Sequence, residues 1–216
     1  MSTARDHVLQ RIREALTDVP NTETSEDVAV ARDYLTHSTT SRYEIIKQFV
    51  ERVAEYRAIV TCVPENDLAR SIEAACRTRG LKRIVVPLDL PDAWVPTDVE
   101  RVADHDLSHQ ELDQVDGVIT GCAIAIAQTG TIVLDGGVAQ GRRAITLLPD
   151  YHLCIVFAHQ VVGLVPEAFR QLSETSRRPM TFISGPSATS DIELNRVEGV
   201  HGPRTLEVLV VEHVDS

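Results

Sequence analysis

Thr120-Gly-Cys-Ala-Ile-Ala-Ile-Ala-Gln-Thr-Gly-Thr131, running on into Ile132-Val-Leu134-Asp-Gly-Gly137, is small, apolar and almost uncharged. It passes through a hydroxyl–glycine–hydroxyl turn, Thr129-Gly130-Thr131, into a β-branched run. Glycine lets backbone approach a neighbour closely because it has no Cβ. The two threonines add hydroxyls that donate or accept. Read for structure alone, the stretch is a buried helix, a tight turn and a core strand. Read for function, it is a place where backbone and hydroxyls meet a ligand.

Working outward, Asp116–Thr120 reads as a strand leading in, and Thr131–Leu134 as the strand that follows. Asp135-Gly-Gly137 is a turn of the kind that joins strands. Residues 144–148, 153–158, Thr181–Ser184 and Thr205–Val211 are further strands, and Pro166–Leu172 is a helix opened by proline. Upstream, Ile45, Ile46, Phe49, Val50 and Val53 share one face of a helix over 41–56. Ala58–Val63 follows as a short buried strand. A helix then begins at Pro64-Glu-Asn-Asp67 and stops at Arg79-Gly80, and Arg83–Pro87 is the next strand. This rhythm predicts a parallel pair joined by a right-handed crossover. The fold class is therefore α/β, an open and mainly parallel sheet flanked by helices. Residues 3–17 add an N-terminal helix with Val8, Leu9, Ile12, Ala15 and Leu16 on one face. Residues 1–38 are expected to form that helix and an acidic linker, and residues 39–216 the α/β domain.

A net charge of −11 argues against a nucleic-acid surface and against an anionic membrane. It leaves room for a small anionic ligand held by local arginines. No run of about 18 apolar residues occurs, so no membrane span is expected. The N-terminus carries no apolar signal region. Cys62, Cys76, Cys122 and Cys154 lie too far apart in sequence for cluster or zinc-ribbon spacings. They read as small core residues in a reduced, cytoplasmic setting. Asp104-His105-Asp106 with His109 reads as a solvated acidic loop rather than a metal site, and Trp94 as an anchor for the irregular segment 88–110.

Two further polar segments resemble the first in character. Gln140-Gly141-Arg142-Arg143 places adjacent guanidiniums before an apolar run, with His152 close behind. Arginine matches carboxylate or phosphate with a planar fork; pairing with surface carboxylates is the competing reading. Ser184-Gly185-Pro-Ser187-Ala188-Thr189-Ser190-Asp191-Ile-Glu193 follows a strand and opens a helix. Ser190 and Glu193 match a capping box, and free N–H groups at such an end favour an anion. Four hydroxyls in seven residues exceed what capping requires. His201-Gly-Pro-Arg204 brings a further cation toward the last strand. A serine-hydrolase reading fails because Gly185-Pro-Ser187-Ala-Thr189 is not Gly-x-Ser-x-Gly. No Gly-x-Gly-x-x-Gly follows a strand, so a nicotinamide cofactor lacks support.

Thr120-Gly-Cys122, Ala127–Leu134, Arg142–His152, Val165-Pro-Glu167, Ile183–Glu193 and Gly199–Arg204 occur in the order seen in the LUD-domain family, and the chain resembles its lactate utilisation protein C branch. The resemblance covers most of the chain from about residue 115 onward. It implies a domain of the NagB/RpiA/CoA-transferase-like kind. It also implies a part in oxidising L-lactate to pyruvate beside two partner proteins that carry iron–sulfur clusters. This chain would hold no iron–sulfur cluster of its own, and its own cofactor is left open. The family commonly has Glu before the Thr-Gly-Thr turn; Gln128 stands here and cannot act as a general base.

These readings converge on a rim formed by Thr129, Gly130, Thr131, Gly141, Arg142, Arg143, Ser184, Gly185, Ser187, Ala188, Thr189, Asp191 and Arg204. It would hold a small carboxylate or a phosphate-bearing cofactor, with His152 or His201 moving a proton. A stand-alone enzyme of the same fold, acting on a sugar phosphate or acyl-thioester, is one alternative. A non-catalytic assembly or regulatory subunit is the other.

Overall fold

The computed structural model describes residues 3–20, 31, 33–173, 178–186 and 202–212. The chain divides into two compact units, Met1–Tyr34 and Leu35–Ser216. The first contains α1 (Ala4–Ala15), which starts at a capping box between Thr3 and Asp6. Its Val8, Leu9, Ile12 and Leu16 are exposed.

The second unit begins with α2 (Arg42–Glu55), β1 (Ile59–Pro64), α3 (Leu68–Arg79), β2 (Arg83–Val86) and β3 (Glu100–Ala103). It continues with α4 (His109–Leu112), β4 (Gly117–Thr120), β5 (Ile124–Ile126), β6 (Thr131–Leu134) and β7 (Tyr151–Phe157). It ends with β8 (Val161–Val162), α5 (Val165–Leu172), β9 (Thr181–Ile183) and β10 (Thr205–Glu212). Six strands form a parallel sheet in the order β1-β10-β7-β4-β2-β3. A smaller sheet, β8-β5-β6-β9, pairs β5, β6 and β9 antiparallel and β8 parallel to β5.

Alternation along the central strands separates the layers. Leu153 and Ile155 of β7, with Leu209 and Val211 of β10, pack in one core with Leu68, Ile72 and Cys76 of α3. Cys154 and Val156, with Val208 and Val210, pack in another with Phe49 and Val53 of α2 and with Ala125 and Ile132 of the smaller sheet. Both faces of the parallel sheet are thus covered, which is why β4 and the first six residues of β7 are continuously buried.

The expected α/β class and most elements are present, with five local corrections. The apolar run after Thr120 is strand β5 rather than a helix; short apolar runs do not distinguish the two by periodicity. Residues 144–148 fall largely in a 3-10 turn, Arg143–Thr146, not a strand. Strands β1 and β2 are parallel but not a pair, since β10, β7 and β4 lie between them. Strand β1 is an edge strand, largely exposed, and its Cys62 is exposed while the other three cysteines are buried. Asp104 is not solvated; it is buried against Arg142. Trp94 does anchor its segment, lying 5.9 Å from the Phe157 ring.

Two polar segments turn out to carry structure. Gly130 sits at φ +59, where a Cβ would lie 2.8 Å from the Arg52 backbone carbon of α2. Its close approach is to a helix. In the Val165-Pro-Glu167 segment, the Glu167 carboxylate accepts from the backbone N–H groups of Ser38 and Leu164 at 2.9 and 2.8 Å. Burial raises its pKa, yet these donors and that of Gly163 outweigh it and hold the carboxyl below its ordinary value. It ties the chain entering α2 to the start of α5.

His152, in β7, is fully buried, with Nε2 2.8 Å from the Thr120 hydroxyl. Its Nδ1 has no partner among the described residues. Burial pushes the imidazole down to about 4. It is therefore neutral at pH 7 and sealed in the core, not placed to move a proton at a surface.

Gly130→Ala should lower the unfolding free energy by about 3 kcal/mol, through the left-handed backbone and the clash with α2. Thermal unfolding should drop by roughly 6–12 °C, and an unchanged midpoint would contradict this packing. His152 gives a pH signature. Its folded pKa lies below the unfolded one, so its contribution is complete above about 6.5 and is lost as pH falls toward 4. Urea unfolding of the native chain and of His152→Gln should show their stability difference shifting by up to about 3 kcal/mol between pH 7 and 4. A constant difference would contradict the buried neutral imidazole.

Candidate functional site

In an open parallel sheet, connections that leave neighbouring strands in opposite directions open a crevice at the carboxyl ends. Here β2 connects outward to β3, whereas β4 connects the other way, to β7. A cleft of about 530 Å³ stands at these ends. Pro91 and Trp94 enter it after β2, Gly121 and Cys122 after β4, and His159 and Gln160 after β7. Asp135 and the loop 137–140, which follow β6, complete it with Arg178, which precedes β9.

Asp135 organises that last wall. Its side chain is only 6% exposed. Oδ1 accepts from the Gly137 N–H and from Gln140 Nε2, both at 2.9 Å. The Asp135 N–H donates to Gln140 Oε1 at 2.7 Å. Oδ2 faces Arg178 Nη1 at 3.4 Å. A Cβ on Gly137 would lie 2.7 Å from Asp135 Oδ1, so a side chain there would push on the carboxylate that anchors the loop. Ala139 is held at φ +58, a strained conformation for a residue with a Cβ. Its N–H donates to Asp89 Oδ2 at 3.0 Å, and its carbonyl accepts from the Gly121 N–H at 2.8 Å.

Another part of the lining is aromatic and amide-bearing. Trp94, Phe157 and His159 form a series of rings with centroids 5.9 and 5.6 Å apart. Gln160 Oε1 accepts from the Phe157 N–H at 2.9 Å while its Nε2 donates to the Cys122 carbonyl at 2.7 Å. A hydrogen bond with Cys154, together with burial, pushes the Cys122 thiol well up, so it stays protonated. The polar groups here brace one another. Arg178 lines the cleft with its side chain 55% exposed.

The rim expected from sequence assembles in part, at other places. Thr129 Oγ1 lies 2.7 Å from Thr131 Oγ1, which lies 2.8 Å from Ser184 Oγ. Arg143, Ser184, Gly185 and Gly202 line a cavity of about 110 Å³. Gly141, Arg142 and Arg143 line another of about 140 Å³. Arg142 Nε and Nη2 grip Asp104 at 2.7 and 2.9 Å, and Nη2 also donates to the Leu107 carbonyl. Arg204 pairs with Asp150 at 3.4 Å, both exposed. Gln128 is exposed at the turn before β6. Ser187, Ala188, Thr189, Asp191 and His201 lie outside the described residues. None of the described rim residues lines the 530 Å³ cleft.

Asp135 and Gln140 enter the sequence reading only as members of the quoted segments, and Arg178, Phe157 and Gln160 carry no site signal there. A signal was present for the first of them: a carboxylate before two glycines at the end of a buried strand. Among the described residues no group of three or more His, Cys, Asp or Glu is placed to hold a metal ion. Among them, too, no helix is long and apolar enough to cross a membrane.

Arg142→Ala should destabilise the chain by about 2 kcal/mol, because it strands the buried Asp104 carboxylate; the partial exposure of Arg142 keeps the figure below that of a sealed pair. Arg142→Met combined with Asp104→Asn should recover most of the loss in urea unfolding. A double variant as unstable as the sum of the single ones would contradict the pairing.

With this geometry in place, the chain can be set beside known proteins. The LUD domain matches residues 34–211. A Deinococcus radiodurans protein named Lactate utilization protein C is 47% identical over 174 residues, covering 79% of this chain and 81% of that one. A Geobacillus thermodenitrificans protein of the same name is 31% identical, covering 68% of this chain and 69% of its own. The crystal structure of a DUF162 family protein from Deinococcus radiodurans superposes with a TM-score of 0.71 at 41% identity. It covers 80% of this chain and 99% of that chain. A domain match across most of the residues, joined to these relatives, has one meaning: the chain belongs to the LUD domain family.

Proposed function

We propose that this chain is a component of an L-lactate utilisation system, acting in the cytoplasm in the oxidation of L-lactate to pyruvate. In this reading the cleft over β2, β4 and β7 binds an anionic ligand through Arg178. The observation that carries it is the 47% identity, across about four-fifths of both chains, to a protein named Lactate utilization protein C. The electrons are handed to partner proteins bearing iron–sulfur clusters. Oxidising L-lactate to pyruvate removes two electrons and two protons, and in this reading the partner clusters take the electrons while the protons pass to solvent.

A second reading, a non-catalytic binding or assembly subunit, is favoured by Asp135, whose Oδ1 is held by Gly137 and Gln140 and whose Oδ2 faces Arg178.

Deleting the gene in a host with no second lactate route should abolish growth on L-lactate as sole carbon source while leaving growth on glucose intact. Returning the native gene should restore it. Normal growth of the deletion strain on L-lactate would overturn the lactate role and bring forward a stand-alone enzyme acting on a sugar phosphate or thioester.

A further inference from the structure

The cleft is too large for lactate alone. A three-carbon hydroxy acid has six non-hydrogen atoms and fills roughly 100 Å³, the space of three or four waters. At about 530 Å³ the cleft falls in the range that takes ligands of drug or cofactor size. Its lining also combines two chemistries. One is the Trp94–Phe157–His159 ring series. The other is Arg178, for which the described residues supply one bond, Nη1 to Asp135, out of five N–H donors.

We infer that the cleft binds a planar heteroaromatic ring bearing one phosphate, a ligand of the nucleoside-monophosphate class. The ring lies against the aromatic part of the lining, where stacking is tolerant of ring identity. The phosphate meets the outer edge of the Arg178 guanidinium, whose inner edge is held by the buried Asp135. A single guanidinium beside a carboxylate suits one phosphate better than a di- or triphosphate, whose added charge would face Asp135 without a counterion. Gly137 and the left-handed Ala139 keep the intervening loop close to the cleft. The inference rests on the reading of this cleft as the binding site, but not on lactate being oxidised there.

Trp94 is the one tryptophan in the chain, and it lines the cleft, so its fluorescence reports occupancy locally. AMP and FMN would be titrated into the purified full-length chain by calorimetry, with Trp94 quenching followed for AMP. Adenosine, inorganic phosphate and L-lactate serve as the comparison ligands. The expected result is saturable binding of AMP or FMN with quenching. Arg178→Gln, a change at an exposed side chain, should weaken that binding about tenfold or more while leaving adenosine unaffected. Three outcomes would overturn the inference: no saturable binding of either nucleotide up to about 1 mM, inorganic phosphate binding as tightly as AMP, or unchanged AMP affinity in Arg178→Gln. Failure here with lactate-dependent growth intact would reject the ligand class alone. Loss of the growth requirement with nucleotide binding intact would reject the lactate role alone.

Discussion

Parallel strands can be joined only by crossovers, and a sheet built that way must be covered on both faces. That constraint arranges this molecule. The central strands β4, β7 and β10 send alternate side chains to α3 on one side and to α2 with the smaller sheet on the other. The smaller sheet is itself made within the crossovers. Strands β5 and β6 lie in the passage from β4 to β7, and β8 and β9 in the passage from β7 to β10. The stretch from Thr120 to Gly137 therefore does two jobs. It supplies a layer that covers the large sheet, and it returns at Asp135 to the mouth of the crevice.

Buried charge explains the rest of the polar arrangement. A carboxylate wholly or partly withdrawn from water must find donors, and three here, buried Asp104 and Asp135 and half-buried Glu167, each gather a local framework. Asp104 holds Arg142, Glu167 holds the chain entering α2, and Asp135 holds the 137–140 loop and Arg178. Only the last of these faces a cleft of ligand size. The two arginines thus differ in what lies beyond the ion pair. Behind Arg142 is a backbone carbonyl, whereas beside Arg178 is open space lined by aromatic rings.

Much of the fold was legible because its signals are local. Ile45, Phe49 and Val53 recur at helical spacing, Gly80 closes α3, and the β-branched runs at 131–134 and 205–211 form strands. Strand pairing was not legible, because β1 meets the end of the chain and not β2, and nothing local encodes that partner. The candidate site was harder for the same reason. Trp94, Asp135, Phe157 and Arg178 are far apart in sequence and meet only through the crossover pattern. The hydroxyl and glycine segments attracted notice by composition. In the described residues, Gly130 serves helix packing and Thr129, Thr131 and Ser184 bond to one another. The family resemblance, carried by motifs in order rather than by any single residue, was legible from sequence and agrees with the domain match.

In the proposed reading the chain acts through the cleft and not through the hydroxyl rim. Two exposed arginines separate these places: Arg178 in the cleft and Arg143 at the rim. The decisive measurement is growth on L-lactate of the deletion strain carrying Arg178→Gln or Arg143→Gln at matched protein levels. Lost growth with Arg178→Gln and normal growth with Arg143→Gln is the expected result. Normal growth with Arg178→Gln, together with failure of Arg143→Gln, would contradict the claim and return the function to the rim.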